Sequence, residues 1–242
     1  MFDVKNKKVL VTGSTQGIGK EIATAFATSN AEVWIHGSRQ EKTERVAKEI
    51  GMSCRPVWAD LTENDCAEKL FSVTGDIDIL ILNASIQYRH SWKEITTEEF
   101  DTQMHVNLLS SLKLIQKYYP SMFEKKWGRI ITIGSVQQNV PHKDMAIYAA
   151  SKAGLDNMVK NLAKQLAPNQ VTVNNVIPGA MATPRNATVI EDKQYLTKVL
   201  KGIPLGRMGK ASDCNGVCLL LASEEGAYIT GSTISIDGGM SL

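Results

Sequence analysis

Residues 8–26 read KVLVTGSTQGIGKEIATAF. Lys8–Thr12 is a short apolar run of strand character, and Ile18, Ile22 and Phe26 recur every four residues as the apolar stripe of a helix. Between them Gly13, Gly17 and Gly19 form G-x-x-x-G-x-G, a variant of the commoner G-x-G-x-x-G. A strand, a glycine loop and a helix in this order suit a dinucleotide. Without side chains the backbone can approach a pyrophosphate, and the helix N-terminus offers free N–H groups and a partial positive charge. Ser14, Gln16 and Ile18 share the loop and are expected beside the same ligand.

Outward from this loop, short β-branched runs alternate with longer amphipathic segments, the pattern of a parallel sheet wrapped by helices. Strands are predicted at Lys8–Thr12, Val33–His36, Arg55–Ala59, Ile79–Asn83, Ile130–Gly134, Thr172–Ile177 and Thr233–Asp237. Thr96 and Glu99 make a capping-box pattern that opens a long helix running towards Lys125. A further helix begins near Ala146, with Leu155, Met158, Val159 and Leu162 as its apolar side. The 242 residues fall within the range that α/β folds fill as one domain, and no repeat or linker interrupts them. Residues 1–242 are therefore expected to form a single α/β domain of Rossmann type, a doubly wound parallel sheet of about seven strands. Residues 180–205, with Pro184, Gly202 and Pro204 around a polar middle, predict a long substrate loop.

Hydrophobic residues at 43% and charged residues at 21% are ordinary globular proportions. A formal charge of +2 points away from nucleic acid and anionic membrane as partners, and towards a small metabolite. The opening MFDVKNKKVLVTG is charged and enters a strand at once, and no run of about eighteen apolar residues could span a bilayer. A cytoplasmic protein is expected. Cys54, Cys66, Cys214 and Cys218 lack zinc-ligand spacing, so no metal is expected; Cys214 and Cys218, four apart, read as small buried hydrophobes on a helix.

In NAD-binding dinucleotide folds an Asp or Glu about twenty residues past the glycines bonds the ribose 2′-OH. The corresponding stretch here is His36-Gly37-Ser38-Arg39, without a carboxylate. Ser38 can donate to a 2′-phosphate and Arg39 can meet it with a charged fork, which predicts NADP(H). The other reading is a surface arginine in a turn. Farther along, Tyr148 and Lys152 stand four apart in YAASKAGL, thirteen residues after Ser135. A helix puts them on one face, where phenol and ammonium could share a cleft or simply meet solvent.

With TGSTQGIG at 12–19, Asn83-Ala84, Asn107, Ser135, Tyr-x-x-x-Lys at 148–152 and Pro178-Gly179 in this order, the sequence resembles the short-chain dehydrogenase/reductase family over essentially its whole length, to the final ITGSTISIDGG. The resemblance implies that Tyr148 exchanges a proton with a carbonyl or alcohol during hydride transfer. It makes Lys152 the residue that holds the nicotinamide ribose and favours the ionised phenol. Ser135 would bond the substrate oxygen, and Asn107 would position a water that relays protons to Lys152. Asp60, with Leu61, would meet the adenine; Asn83, Ala84, Pro178, Gly179 and Thr183 would line the rest of the cofactor. Read singly, Ser135 and Asp60 could cap helices, Asn107 could be a surface amide and Pro178-Gly179 a turn. The family usually writes Asn-Asn-Ala-Gly after the fourth strand, whereas this chain has Leu82-Asn83-Ala84-Ser85. Leu82 lacks a polar group that could pin neighbouring strands, and Ser85 adds a Cβ where the cofactor passes.

Ligands of such sheets bind outside the carboxyl ends of the strands. The loops there offer Gln87, Tyr88, Arg89, His90, Trp92, Gln137, Gln138, Asn139, His142 and Arg185, of which Gln87, Arg89, Gln137, His142 and Arg185 are the expected substrate contacts. Polar groups with a cation suit a sugar, polyol or sugar acid better than a steroid or acyl chain. Ile86-Gln87-Tyr88-Arg89 also resembles the gluconate-type members of the family. A 3-oxoacyl-carrier-protein reductase is the alternative, and a dinucleotide-sensing protein without turnover a more distant one. The family resemblance implies a homotetramer.

Overall fold

The computed structural model describes residues 2–51 and 53–242. Among the described residues nine strands follow in chain order: β1 (Lys8–Val11), β2 (Glu32–Gly37), β3 (Cys54–Trp58), β4 (Ile79–Leu82), β5 (Gly128–Ile133), β6 (Val171–Pro178), β7 (Met181–Ala182), β8 (Gly209–Lys210) and β9 (Thr233–Ile236). The helices are α1 (Gly17–Thr28), α2 (Gln40–Ile50), α3 (Cys66–Thr74), α4 (Thr97–Met104), α5 (Ser110–Lys125), α6 (Ala146–Leu166), α7 (Ala187–Glu191), α8 (Lys193–Lys201) and α9 (Asn215–Ala222). Seven strands make one parallel sheet in the order β3-β2-β1-β4-β5-β6-β9. The winding reverses between β1 and β4, and the crevice at that switch point is where such sheets hold ligands.

Both faces of the sheet are covered, so its central strands read as continuous apolar runs rather than alternating ones. Side chains nevertheless alternate between faces. Val9, Val11, Ile79 and Ile81 pack with Ile22 and Phe26 of α1, Val46 of α2 and Leu221 of α9. Their neighbours Leu10, Leu80 and Leu82 turn to the other face, with Leu70 of α3, Leu114 and Tyr118 of α5 and Val159 of α6. Each such side chain contributes roughly 1.5–3 kcal/mol on full burial, which makes the two layers the main cohesive element. Cys214 and Cys218 are both buried in the first layer; Cys218 lies on α9, but Cys214 ends the 3-10 turn before it.

Two expectations are revised. The helix opened by Thr96 does carry its capping box, with Glu99 N–H donating to Thr96 Oγ1 (3.2 Å) and Thr96 N–H to Glu99 Oε2 (3.1 Å). It is not one α-helix to Lys125, however, because a π-helical turn at His105–Leu109 separates α4 from α5. The loop expected at 180–205 is largely structured: β7, a 3-10 turn at Pro184–Asn186, α7 and α8. β7 pairs with β8 in a small second sheet that no sequence pattern announced. Among the described residues no helix is long and apolar enough to cross a membrane.

Candidate active site

A cleft of about 1260 Å³ runs along the carboxyl ends of β1 to β6. At its floor Gly13 holds φ +62°, and a Cβ there would come 2.8 Å from Ala84 Cα, so only glycine lets the β1 and β4 loops approach. Asn83 closes the same joint, its Nδ2 donating to the carbonyls of Thr12 and Gly13 at 3.0 Å each. Gln16 precedes α1 without a side-chain cap, and the first turn has no acidic residue, leaving that N-terminus open to an anion. Gly13, Gln16, Gly17 and Ile18 border the cleft. Gly19 does not: it is buried against Asn83, where a Cβ would meet Nδ2 at 2.4 Å. Ser14 likewise lies off the cleft wall. Its hydroxyl donates to Val11 O (2.7 Å) and accepts from His36 N–H (2.9 Å), fully buried, so it fastens β1 to β2.

One arm of the cleft is lined by Ser38, Arg39, Asp60 and Leu61 as expected, and also by Lys42. Lys42 Nζ donates to Gln16 Oε1 at 2.6 Å, bringing a second cation beside Arg39. Asp60 Oδ1 accepts from Thr62 N–H (2.9 Å) and Thr62 Oγ1 (2.8 Å), shaping its own loop while it borders the cleft. Behind them His36 is buried with both ring nitrogens used: Nδ1 accepts from Gly13 N–H at 3.0 Å and Nε2 faces Ala59 O at 3.2 Å. Burial lowers its pKa to about 4, against the pull of the Ala59 carbonyl and Asp60.

At the centre α6 turns Tyr148 into the cleft and buries Lys152 behind it, 1% exposed, with Nζ 5.9 Å from the Tyr148 ring centroid. Lys152 Nζ donates to Ile133 O at 2.8 Å. Burial, and then the positive charge of Arg185, push its pKa down to about 7. Ser135 borders the cleft and accepts from Gln137 N–H at 3.2 Å, which leaves its own O–H free for a ligand oxygen. Asn107 lies in the π-turn, outside the cleft wall. Its Oδ1 accepts from Ile86 N–H (2.9 Å), while Nδ2 donates to Ile86 O and Ser151 Oγ (3.0 Å each). Ser151 Oγ in turn donates to Tyr148 O at 2.8 Å, so Asn107 joins the β4 loop to the helix that carries the phenol.

The other arm is lined by Gln87, Tyr88, Arg89, Gln137, His142 and Arg185, together with Tyr195 and Lys198 of α8. Arg89 donates to the Tyr195 hydroxyl at 2.7 Å and lies 3.3 Å from His142 Nε2, with its guanidinium over the Tyr195 ring. Burial and the Arg89 charge lower the His142 pKa. Pro178, Gly179 and Thr183 border the cleft between the arms, as do Asn83 and Ala84. Four of the loop residues turn elsewhere: His90 pairs with Glu99 (3.0 Å), Trp92 faces outward, Asn139 lies off the cleft wall, and Gln138 reaches back to Ser135 N–H and Asn175.

Residues 13–241 match the family described as enoyl-(acyl carrier protein) reductase. The 3-oxoacyl-(acyl-carrier-protein) reductase FabG of Aquifex aeolicus is 35% identical over 245 residues, covering 98% of each chain. Two solved structures superpose closely. A putative NAD(P)-dependent gluconate 5-dehydrogenase from Beutenbergia cavernae with bound NADP has a TM-score of 0.94 and 30% identity over 99% of this chain and 98% of that one. A gluconate 5-dehydrogenase from Burkholderia cenocepacia in complex with NADP and tartrate has a TM-score of 0.93 and 28% identity over 99% and 97%. The chain belongs to the short-chain dehydrogenase/reductase family.

This short-chain dehydrogenase/reductase is therefore an oxidoreductase, and its departures from the usual motif acquire a structural meaning. Leu82 is buried in the α3/α5/α6 layer, and the polar tie between the β1 and β4 ends is made by the Asn83 amide together with the Thr12 hydroxyl, which accepts from Asn83 N–H and Ala84 N–H. Ser85 borders the cleft and binds Arg185, which reaches it from the 3-10 turn after β7. Lys42, Tyr195 and Lys198 escaped the sequence reading, although spacing held a clue: Lys42 follows Arg39 by three residues and Lys198 follows Tyr195 by three, the separation that shares a helix face.

Proposed function

We propose that the protein is an NADP(H)-dependent oxidoreductase that interconverts a carbonyl and a secondary alcohol on a polar sugar, polyol or sugar acid. The observation that carries this reading is the Tyr148 hydroxyl facing the cleft, with Lys152 buried behind it, between an arm holding Arg39 and Lys42 and an arm holding Arg89 and Arg185. The glycine cradle and the uncapped start of α1 fit a pyrophosphate, and Ser38, Arg39 and Lys42 fit a 2′-phosphate at the other end. Both gluconate-dehydrogenase neighbours were solved with NADP. When bound, the nicotinamide exchanges a hydride with the substrate carbon.

The chain's own residues handle the oxygen and the proton. Tyr148 gives its phenolic proton to the carbonyl oxygen in reduction and takes it back in oxidation. The free O–H of Ser135 holds that oxygen and stabilises the charge that develops on it. Lys152, buried behind the phenol with its pKa lowered to about 7 by burial and the Arg185 charge, favours the ionised phenol when it carries its proton. Asn107 positions the helix that carries them.

Gln87, Arg89, Gln137, His142 and Arg185 present donors and cations to the substrate, which favours a hydroxylated or anionic molecule. The neighbour from Burkholderia cenocepacia was solved with tartrate, itself a hydroxylated acid. The second reading, reduction of 3-oxoacyl thioesters, is favoured by the reductase of Aquifex aeolicus. Initial rates with NADPH on keto-gluconates and ketoses, beside acetoacetyl thioesters, separate the two. Turnover of the thioester alone would remove the sugar-acid reading. In the same assays NADPH is expected to bind more tightly than NADH, by roughly tenfold or more. We propose further that four copies assemble into a homotetramer in the cytoplasm, in keeping with the exposed Phe100, Leu109 and Phe123 along α4, the π-turn and α5 and with the four free cysteines.

A further inference from the structure

Arg185 reaches across the cleft from the 3-10 turn at Pro184–Asn186. Its Nη2 donates to Ser85 O (2.7 Å) and its Nη1 to Ser85 Oγ (3.0 Å), and Nη1 lies 3.5 Å from the Tyr148 hydroxyl. Among the described residues no carboxylate pairs with it. A guanidinium carries five N–H donors in a rigid fork, so the two bonds to Ser85 leave donors over for a planar anion. Ser85 stands where the motif usually has glycine, and its hydroxyl is one of the two groups that hold the arginine. The charge is felt at the reaction centre, since Arg185 is the second cause of the lowered Lys152 pKa.

Position decides what such a cation can read. The substrate's reacting oxygen must sit within hydrogen-bond reach of the Tyr148 hydroxyl, about 2.7 Å, and the Arg185 fork hangs beside that same hydroxyl. An anion bound to the fork is then only a bond or two from the reacting carbon. A carboxylate attached directly to that carbon meets the requirement. A carboxylate at the far end of a six-carbon acid does not.

We propose that Arg185, held by Ser85, is a carboxylate receptor that directs the reaction to the carbon bearing the substrate's carboxylate, so that the substrates are hydroxylated 2-hydroxy acids and their 2-oxo counterparts. This rests on the oxidoreductase reading above and narrows it. Arg89 is held by a different set of partners, His142 and Tyr195, and serves the hydroxylated tail.

The test compares NADPH-dependent reduction of 2-keto-gluconate, 5-keto-gluconate and the uncharged ketose fructose, by wild type, Arg185→Met, Arg185→Lys and Ser85→Gly. The 2-oxo acid is expected to exceed both others in kcat/KM by at least roughly tenfold. Arg185→Met should raise KM for the 2-oxo acid by a similar factor, and more than it changes the ketose rate. Arg185→Lys should recover part of the loss, and Ser85→Gly should fall between wild type and Arg185→Met. Melting curves and NADPH titrations on the same samples identify a misfolded variant, in which case the wild-type substrate ranking and Ser85→Gly carry the decision. Equal rates on the two keto-gluconates would overturn the proposal while leaving the oxidoreductase reading intact; activity confined to acetoacetyl thioesters would overturn both. A loss of NADPH affinity in Arg185→Met as large as its loss on the acid would assign the arginine to the cofactor instead.

Discussion

His36 belongs to no catalytic set, yet it ties three loops of the cleft together, through its backbone to Ser14 and through its ring to Gly13 and Ala59. In the sequence it mattered only as part of a stretch lacking a carboxylate. Its ring must stay neutral to accept from Gly13 N–H, and burial holds its pKa near 4 against an ordinary 6.5. Between those values the unfolded chain binds a proton that the folded chain does not, so stability rises with pH across this window and falls on acidification. Complete titration of this one group is worth at most about 3 kcal/mol. His36→Asn should remove that component: urea unfolding at pH 7 and near pH 4 will differ less for the variant than for the wild type. An equal difference in both proteins would assign the acid sensitivity to other groups.

At the scale of elements, the helix from Thr97 to Lys125 was legible in its start and its reach but not in its interruption. A π-turn inserts one extra residue into a helical pattern, and apolar periodicity over so few positions does not register it. Structurally it matters, because Asn107 from this turn occupies both polar groups of Ile86 and also bonds Ser151. Asn107→Ala strands the Ile86 N–H and C=O in a part-buried setting. Unfolding free energy should drop by about 1–3 kcal/mol. Displacement of the Tyr148 helix should lower kcat by roughly tenfold or more. Denaturant titration and steady-state rates on one preparation check both, and a variant that loses stability at full kcat would confine Asn107 to a packing role.

For the whole molecule, a parallel sheet with both faces covered by helices still leaves Phe100, Leu109 and Phe123 turned to solvent. If these apolar groups are subunit contacts, light scattering on the eluted protein will give a mass near four chains, and Phe100→Glu with Phe123→Glu will reduce it; a monomeric wild type would discard the assembly. All seven main strands were readable in advance, as was the gathering of the glycine loop, Ser38-Arg39 and Tyr148 along one cleft. Apolar period, turn residues and helix spacing are local properties, and the backbone obeys them within a few residues. The local pattern carried no sign that Ser14 and Gly19 turn inward, that Lys42 reaches Gln16 across the cleft, or that Arg89 meets Tyr195. Nor could it bring Arg185 to Ser85, a hundred positions away. Those meetings depend on how the winding reverses at the switch point and where α7 and α8 settle over the cleft, which long-range packing decides and no short-range period encodes.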